Sequence, residues 1–373
     1  MKELLIDLAE VESPSLDGEA LARLRTMLSG QLTGLGFEVE VLPGVEGCDH
    51  LLATPPPGGG DEPTQLLLGH FDTVWPVGSL EKMPVTERDG RLHGPGVFDM
   101  KGGLVQMLYA LRANAEFGAE MPCRPVVLLN ADEEIGSPDS RRHTVRLAGE
   151  AARALVMEPS YGPRGRLKTG RKGVGRFTLT VTGVASHAGL DPEGGASAIL
   201  EASHQIGRLF ELNDADRGVT VNVGTIDGGM RPNVVAPEAV AEIETRVVTA
   251  EDAVEVERAI RSLEPTRDRI SLSVEGEFSR PPLEMSPRNR LLWEQARLAA
   301  SALGLEIEDA QVGGASDGNL ATPFTATLDG LGAVGDGAHA DHEHLVLDRM
   351  PERAALLAGL LSSPPAESDS PGQ

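Results

Sequence analysis

The residues best suited to chemistry are histidines and carboxylates that stand in short motifs far apart along the chain. Imidazole and carboxylate ligands without a thiolate suit zinc and related divalent metals. Two such metals, about 3.5–4 Å apart, can hold an attacking and a leaving oxygen together and need about five ligands, one of them bridging. The motifs offer that number, with one glutamate to spare and Asp72 besides: His70 and Asp72 in HFD, Asp99 in GVFDMKGG, Glu133 and Glu134 in NADEEIGS, Glu158 in VMEPS, and His339 in GAHADHEH.

Each motif follows a segment that we interpret as a buried apolar strand, such as 65–69 before His70 and 154–157 before Glu158. In an α/β sheet, side chains at the carboxyl ends of parallel strands meet at one edge. A charge at the end of a buried strand must also find a partner. Taken singly, a histidine, a pair of glutamates or an aspartate before glycines is more often a packed, solvated or turn residue. The set as a whole predicts a metal site at the edge of a sheet.

The elements that must position these residues alternate between helix and strand. Apolar residues recur at helical spacing at Leu4, Leu5, Leu8 and Val11, at Leu21, Leu24, Leu28 and Leu32, and over 104–111. Strand candidates lie at 37–42, 65–69, 126–129 and 154–157. This alternation predicts an α/β fold with a mainly parallel sheet covered on both faces.

Near residue 171 the pattern changes to the order βαββαβ. Strands are predicted at 177–182, 220–226, 239–247 and 270–274, and helices at 198–209 and 253–263. This order is that of a ferredoxin-like α+β unit. We therefore expect a domain over 171–281 inserted into a catalytic domain of 1–170 and 282–373. We also expect a loop at PPPGGG, 55–60, and a disordered polar tail at 364–373.

The ordered set of motifs resembles the signatures of the M20 metallopeptidases, and within them the glutamate-carboxypeptidase-like branch. The matching motifs are H-x-D-T-V, G-x-x-D-M-K-G-G, D-E-E-x-G-S, E-P-S and G-A-H-x-x-x-E, which together run from His70 to Glu343. The inserted domain stands where that family carries its lid. The resemblance implies a zinc-peptidase-like catalytic domain and two divalent metal ions, with zinc favoured and cobalt or manganese as alternatives.

The resemblance also implies a role for each motif residue. Asp99 would bridge the two metals, His70 and Glu158 would complete one site, and Glu134 and His339 the other. Glu133 would be the general base and acid, Asp72 would orient His70, and the Asp99–Met100 bond would be cis. His339, His342 and His344 compete for the last ligand position. The family's spacing of four residues before a glutamate, Glu343 here, selects His339 and leaves His342 and His344 at the surface.

By the same resemblance, polar residues of the inserted domain would bind the substrate and a developing oxyanion. These are His187 in GVASHAG, Asn233 in MRPNVVAP, Arg246 in IETRVV and Arg280 before the return crossing. Gly314 and Ser316 in GGASDG match the family's loop along the substrate pocket. The lid implies a homodimer in which a partner contributes part of this group.

Two other kinds of function compete with this interpretation. Gly314 to Gly318 fits G-x-S-x-G, and Asp336 and His339 follow in the order of a serine hydrolase that would use Ser316. That motif requires a strand before the serine, and the sequence shows no strong strand there. A metal-dependent binding protein without activity is disfavoured because Glu133, needed only for turnover, is present.

The composition of the chain limits the kinds of partner that it could bind. With 33 basic and 57 acidic residues, the formal charge of −24 disfavours nucleic-acid binding. Two isolated cysteines, no signal-peptide core and no long apolar stretch predict a cytoplasmic protein that is not in a membrane. We expect hydrolysis of an amide or peptide bond next to a free carboxylate, in small peptides or N-acylated amino acids. The alternative within the family is an acetylornithine or succinyl-diaminopimelate type of deacylase.

Overall fold

Asp17, Ser197, Thr249 and Ser286 each begin a helix with a side-chain oxygen that accepts a backbone amide. In this computed structural model, residues 1–56 and 62–365 are described. The predicted loop at 55–60 and tail at 364–373 fall mostly outside these ranges. The helices are α1 Lys2–Ala9, α2 Gly18–Gly34, α3 Gly102–Phe117, α4 Arg141–Glu150, α5 Ala198–Phe210, α6 Ala250–Arg261, α7 Pro287–Ala302, α8 Asp317–Ala321 and α9 Met350–Leu361.

The strands alternate with these helices in the first half of the chain. In chain order they are β1 Glu38–Leu42, β2 His50–Thr54, β3 Thr64–His70, β4 Thr86–Arg88, β5 Arg91–His93, β6 Arg124–Asn130, β7 Ala151–Val156, β8 Leu167–Arg171, β9 Gly173–Thr182, β10 Thr220–Gly228, β11 Glu238–Val247, β12 Ser271–Arg280, β13 Asp309–Val312, β14 Ala326–Leu328, β15 Gly335–Asp336 and β16 His344–Val346. Within the described residues, no helix is long and apolar enough to cross a lipid bilayer.

The chain divides into two units. The first comprises Met1–Gly170, Glu284–Val312 and Ser316–Gln373, and the second comprises Arg171–Leu283 and Gly313–Ala315. The chain enters and leaves the second unit at neighbouring points, because the amides of Arg171 and Leu283 each donate to the other's carbonyl at 3.0 Å. The second unit is therefore an insertion whose two ends lie side by side.

The first unit is built on a six-stranded sheet in the order β1-β2-β6-β3-β7-β14. Strands β6, β3, β7 and β14 run parallel, as expected, whereas β1 and β2 form an antiparallel edge. Side chains alternate between the two faces of a strand. Accordingly Leu67 packs in the larger core cluster with Leu104 of α3, while Leu66 and Leu68 pack in a second cluster with Leu147 of α4. The sheet is thus covered on both faces.

The second unit has the predicted βαββαβ order. Its four strands form an antiparallel sheet in the order β10-β11-β9-β12, which is the ferredoxin-like arrangement. Its core combines Phe177, Leu179 and Val181 of β9 with Ala202 of α5 and Ile260 of α6. Burial alternates along β9 from Phe177 onward, as expected for a strand with one covered face.

Candidate metal centre

Three of the predicted ligand motifs lie at the same edge of the parallel sheet. His70 ends β3, directly opposite Asn130, the last residue of β6. Glu133 and Glu134 follow β6 in a short helical turn, Glu133–Ile135. On the other side of β3, Leu68 pairs with Val156 of β7, and Glu158 follows two residues later. The strand register therefore gathers these side chains as the sequence predicted.

Asp99 reaches the same place by a different route from the one expected. It does not follow a buried strand but lies in the kinked turn Val97–Lys101 before α3, where Asp99 and Met100 have non-helical backbone angles. The Asp99–Met100 peptide bond is cis, as the resemblance implied. The turn leads directly into α3, whose second residue, Gly103, lies so close to β7 that an added Cβ would sit 2.1 Å from the carbonyl oxygen of Met157.

His339 lies between the short strands β15 and β16, in the left-handed region with φ near 60°. Of its two competitors, His342 is exposed, as predicted. The expectation that His344 lies at the surface is wrong, because its residue is only 9% exposed. His344 stands opposite His93 on β5, and their ring centroids are 5.1 Å apart. Its burial follows from the pairing of β16 with β5.

The carboxylate of Asp99 lies between two imidazoles. Its Oδ1 is 3.3 Å from Nε2 of His70, and its Oδ2 is 3.4 Å from Nε2 of His339. Glu158 Oε1 lies 3.5 Å from Nε2 of His70, and Glu134 Oε2 lies 3.0 Å from Nε2 of His339. Each imidazole thus has its own carboxylate and shares Asp99, which is the arrangement expected for two cations with one bridging ligand.

The atoms themselves fit a metal. Nε2 of His70 and Oδ1 of Asp99 are buried and make no hydrogen bond within the described part of the chain. Buried polar atoms without a partner are costly. Ligand atoms of His70, Asp99 and Glu134 lie within 4.8 Å of one another, and so do those of His70, Glu133 and Glu158. Imidazole nitrogen and carboxylate oxygen are zinc ligands, so a bound cation would satisfy these atoms.

Charge in this cluster is concentrated. Burial would raise the pKa of Asp99, but the imidazoles of His339 and His70 hold it well below its usual range. Burial would lower the pKa of His70, but the carboxylates of Asp72, Asp99 and Glu158 beside its ring nitrogens raise it well above the usual value. Hydrogen bonding to Asp99 and Glu134 raises the pKa of His339 to about 10. A proton on either imidazole would therefore offset part of the negative charge of these carboxylates.

Asp72 contacts both sides of the site. Nδ1 of His70 lies 3.0 Å from the backbone oxygen of Asp72 and 3.4 Å from its Oδ1. The Asp72 carboxylate also accepts the amides of Glu133 at 3.3 Å and Glu134 at 3.1 Å, together with the hydroxyl of Ser15 at 2.7 Å. The contacts to the glutamate segment go beyond the role inferred from the sequence.

Four of the residues predicted to bind substrate lie in the Arg171–Leu283 part of the second unit. His187 and Asn233 are exposed neighbours, since His187 bridges to Val234 and the amide of Ala188 donates to the carbonyl of Asn233. Arg246 and Arg280 both stand opposite Val174, on the strands that flank β9. Arg280 is buried. The second unit therefore holds these residues as two pairs.

The segment Gly313–Ala315 is held by arginines of the second unit. Nη1 of Arg246 donates to the carbonyl of Gly313 at 2.9 Å. Nη1 of Arg171 donates to the carbonyls of Gly314 at 3.0 Å and Ala315 at 3.3 Å. Arg171 was not among the predicted site residues, and its sequence context, GRKG at the end of β8, carries no chemical signal of this contact.

The serine-hydrolase alternative requires a strand directly before Ser316. A short strand, β13, ends at Val312 and α8 begins at Asp317, so Gly313–Ala315 separate the strand from the serine. Its hydroxyl is nevertheless fully buried, donates to Asp329 at 2.5 Å and accepts the amide of Gly318 at 3.0 Å. These contacts make Ser316 the cap of α8, and they do not support a nucleophile.

Other residues at the site were missed. Nζ of Lys168 lies 3.9 Å from Oε2 of Glu158. Glu343, used only as a spacing marker, accepts the amide of Asp99 at 3.0 Å. The position of Lys168 on β8 carried no signal, whereas the fixed spacing of Glu343 after His339 could have drawn attention to it.

Comparisons with known proteins agree with this geometry. The sequence model of Peptidase family M20/M25/M40 matches residues 66–363. Carboxypeptidase G2 of Pseudomonas sp. (strain RS-16) is 29% identical over 366 residues, covering 95% of this chain and 86% of that protein. Acetylornithine deacetylase of Myxococcus xanthus is 28% identical, covering 83% of this chain and 82% of that protein. Aminopeptidase PepT from Bacillus cereus ATCC 10987 shares the fold, with a TM-score of 0.77 at 21% identity over 97% of each chain.

Proposed function

The chain belongs to peptidase family M20/M25/M40, and from this premise we propose that it hydrolyses an amide or peptide bond next to a free carboxylate. Family membership makes it a metallopeptidase or amidohydrolase and makes its chemistry metal-dependent. The main support for this reaction is the Asp99 carboxylate, which lies between the imidazoles of His70 and His339. The substrates would be small peptides cleaved at the C-terminus or N-acylated amino acids.

In this proposal His70, Asp99 and Glu158 would hold one zinc ion, and Asp99, Glu134 and His339 would hold the other. When bound, divalent cations lower the pKa of water and polarise the amide carbonyl. Glu133, whose carboxylate lies near the ligand atoms of His70 and Glu158, accepts the proton of the attacking water and delivers it to the leaving amine. Asp72 keeps His70 in one orientation.

The substrate carboxylate is assigned to the arginines of the second unit. Arg246 and Arg280 share one row of its sheet, and guanidinium groups bind carboxylates with two parallel hydrogen bonds. His187 and Asn233 would donate to the developing oxyanion. Gly314 and Ser316 would border the pocket through the backbone, since the Ser316 hydroxyl is already bonded.

A deacylase of the acetylornithine or succinyl-diaminopimelate type is the second candidate. It is favoured by the acetylornithine deacetylase already described and by succinyl-diaminopimelate desuccinylases, one of which, from Xanthomonas oryzae pv. oryzae (strain PXO99A), is 28% identical to this chain. The same metal ligands would serve both reactions. The two candidates differ in the substrate side chain beside the scissile bond. This side chain is acidic in acyl-glutamates and carries an amine in acyl-ornithine and succinyl-diaminopimelate.

The proposal is tested with a panel of acyl-glutamates, acyl-ornithines, succinyl-diaminopimelate and dipeptides, assayed with and without chelator and with zinc restored. The proposal requires turnover that a chelator abolishes and zinc restores. The turnover should be fastest on acyl-glutamates or dipeptides. Preference for acyl-ornithine or succinyl-diaminopimelate would establish the second candidate. Activity that resists the chelator and is blocked by a fluorophosphonate would refute both.

The role of Glu133 is tested by Glu133→Ala. Loss of a general base and acid typically lowers the rate by about 10²–10⁴-fold, whereas metal content should stay unchanged because the ligands remain. Glu150→Gln, an exposed glutamate of the same unit, is the control and should keep full activity. Loss of bound zinc in Glu133→Ala would make Glu133 a ligand instead of the base.

We extend the proposal to a cytoplasmic homodimer formed through the second unit. Both cysteines are free and buried, in keeping with a reducing compartment. Strand β10 is an edge of its sheet, and Ile226 on it is 52% exposed. Sedimentation should find a dimer that Ile226→Lys dissociates. Val254→Lys, at an exposed position on α6, should leave the dimer intact.

A further inference from the structure

The carboxylate of Glu343 is buried, 1% exposed, and lies among four N–H donors. Its Oε1 accepts the amides of Phe98 at 2.9 Å and Asp99 at 3.0 Å. Its Oε2 accepts the amide of Gly96 at 2.9 Å and the indole Nε1 of Trp75 at 2.8 Å. Burying a carboxylate is costly unless hydrogen-bond donors replace the water that it loses. The Glu343 side chain therefore depends on all four donors and holds them together.

These donors belong to the segments that carry the metal ligands. Gly96, Phe98 and Asp99 form the turn that presents the Asp99 carboxylate. Trp75 stands five residues after His70, and Glu343 itself stands four residues after His339. One carboxylate thus connects three stretches that are far apart along the chain.

The backbone of Glu343 reinforces the connection on both sides. Its amide donates to the carbonyl of Ala340 at 2.9 Å, next to His339, and its carbonyl accepts the amide of Gly94 at 3.4 Å. The His339 loop and the Asp99 turn are consequently held to each other by side-chain and main-chain bonds from the same residue. A shift of either segment would break bonds in the other.

We propose that Glu343 is a positioning residue that fixes the distance between Asp99 and His339 and thereby sets the affinity of the centre for its metals. The inference rests on the metal site of the proposed function. The Glu343 carboxylate is bonded to four N–H groups, so it acts through the Asp99 amide and the His339 loop. A carboxylate accepts at all four N–H groups, whereas an amide side chain turns its own NH₂ toward two of them. Glu343→Gln therefore removes the match without removing volume.

The test is titration of the metal-free protein with cobalt(II), following the visible spectrum of the bound ion. Glu343→Gln should bind cobalt about 10–100-fold more weakly than wild type and show an altered spectrum, because partners of the ligands typically carry that much affinity. Glu201→Gln is the matched control: Glu201 is also fully buried and accepts three hydrogen bonds, but in the second unit. Its cobalt affinity and spectrum should equal those of wild type.

Trp75→Phe removes one of the four donors and should lower cobalt affinity less than Glu343→Gln does. If Glu343→Gln does not fold, Trp75→Phe decides: weaker binding supports the proposal, and unchanged affinity and spectrum overturn it. A folded Glu343→Gln protein that binds cobalt as wild type does would equally overturn it. Wild-type protein that binds no cobalt would instead refute the metal site of the proposed function.

Discussion

Oδ2 of Asp72 accepts the backbone amide of Glu134 at 3.1 Å. The same carboxylate lies 3.4 Å from Nδ1 of His70 and accepts the amide of Glu133 at 3.3 Å. Asp72 therefore connects His70, at the end of β3, to the paired glutamates that follow β6, the neighbouring strand of the sheet. Its position controls both the orientation of a ligand and the backbone that carries the proposed base.

Asp72→Asn should lower turnover and zinc affinity together, by about 10–100-fold. An asparagine keeps the shape but offers one acceptor oxygen in place of two, so an amide of the Glu133–Glu134 backbone loses its partner. Zinc titration and steady-state kinetics measure the two effects. Ser15→Ala is the control, because it removes only the hydroxyl bond to Asp72. Equal losses in both variants would argue against the backbone contacts as the cause.

Gly103→Ala should destabilise the first unit and disturb the metal centre. The added Cβ would meet the carbonyl of Met157 at 2.1 Å, and Met157 directly precedes Glu158. Overpacking of this kind costs about 1–3 kcal/mol. Gly149→Ala is the matched control, since α4 has open space around Gly149 and should gain about 0.5–1 kcal/mol. Urea unfolding gives both values, and no difference between the variants would contradict the close approach of α3 to β7.

Zinc affinity should rise with pH. Hydrogen bonding to Asp99 and Glu134 raises the pKa of His339 to about 10, so below that pH zinc must displace a proton from its imidazole. The apparent affinity should then increase up to about tenfold per pH unit for each proton displaced, between pH about 6.5 and 10. Calorimetric titration in buffers of different ionisation enthalpy counts the protons released. His342→Ala should leave that count unchanged, and an affinity independent of pH would contradict the prediction.

Stability of the second unit should depend on Glu201. Burial would raise its pKa, but hydrogen bonds from the amide and hydroxyl of Thr266 and the amide group of Gln205 hold it below its usual value. A lowered pKa in the folded state stabilises above the unfolded value, near pH 4, and this contribution is lost as pH falls through the folded value. Glu201→Gln should therefore cost about 1.5–3 kcal/mol at pH 7 and progressively less below pH 4.

Urea titrations at pH 7, 5 and 3.5 measure this effect, with Glu211→Gln, at the exposed end of α5, as control. The control should be neutral at each pH. A cost for Glu201→Gln that stays the same at pH 3.5 would mean that its hydrogen bonds do not depend on ionisation.

Much of the centre could be predicted because strand ends are visible in the sequence. His70 and the segments with Glu134 and Glu158 follow apolar runs, and the parallel register brings them to one edge. Asp99 was located by motif and not by this rule, since the kinked turn before α3 presents it. Local periodicity contains no information on that turn, because its shape depends on a carboxylate more than 240 residues away along the chain, Glu343.

The lack of a local sequence pattern also explains why the burial of His344 and the strand β13 were not predicted. His344 is buried because β16 pairs with β5, and the pairing of such short strands leaves no periodic pattern. Strand β13 was missed for the same reason, being four residues long with alternating exposure. The order of elements in the second unit was correct because its strands are long and its helices amphipathic, so each segment carries its own signal.

The reciprocal hydrogen bonds between Arg171 and Leu283 bear on how the first unit assembles. Strand β14 must pair with β7 although the whole second unit separates them along the chain. Closing a loop costs entropy that grows with its length. Once the second unit has folded with its ends paired, it acts as a short connection between the two parts of the first unit. The effective loop between β7 and β14 is then much shorter than the number of intervening residues, so their pairing costs less entropy.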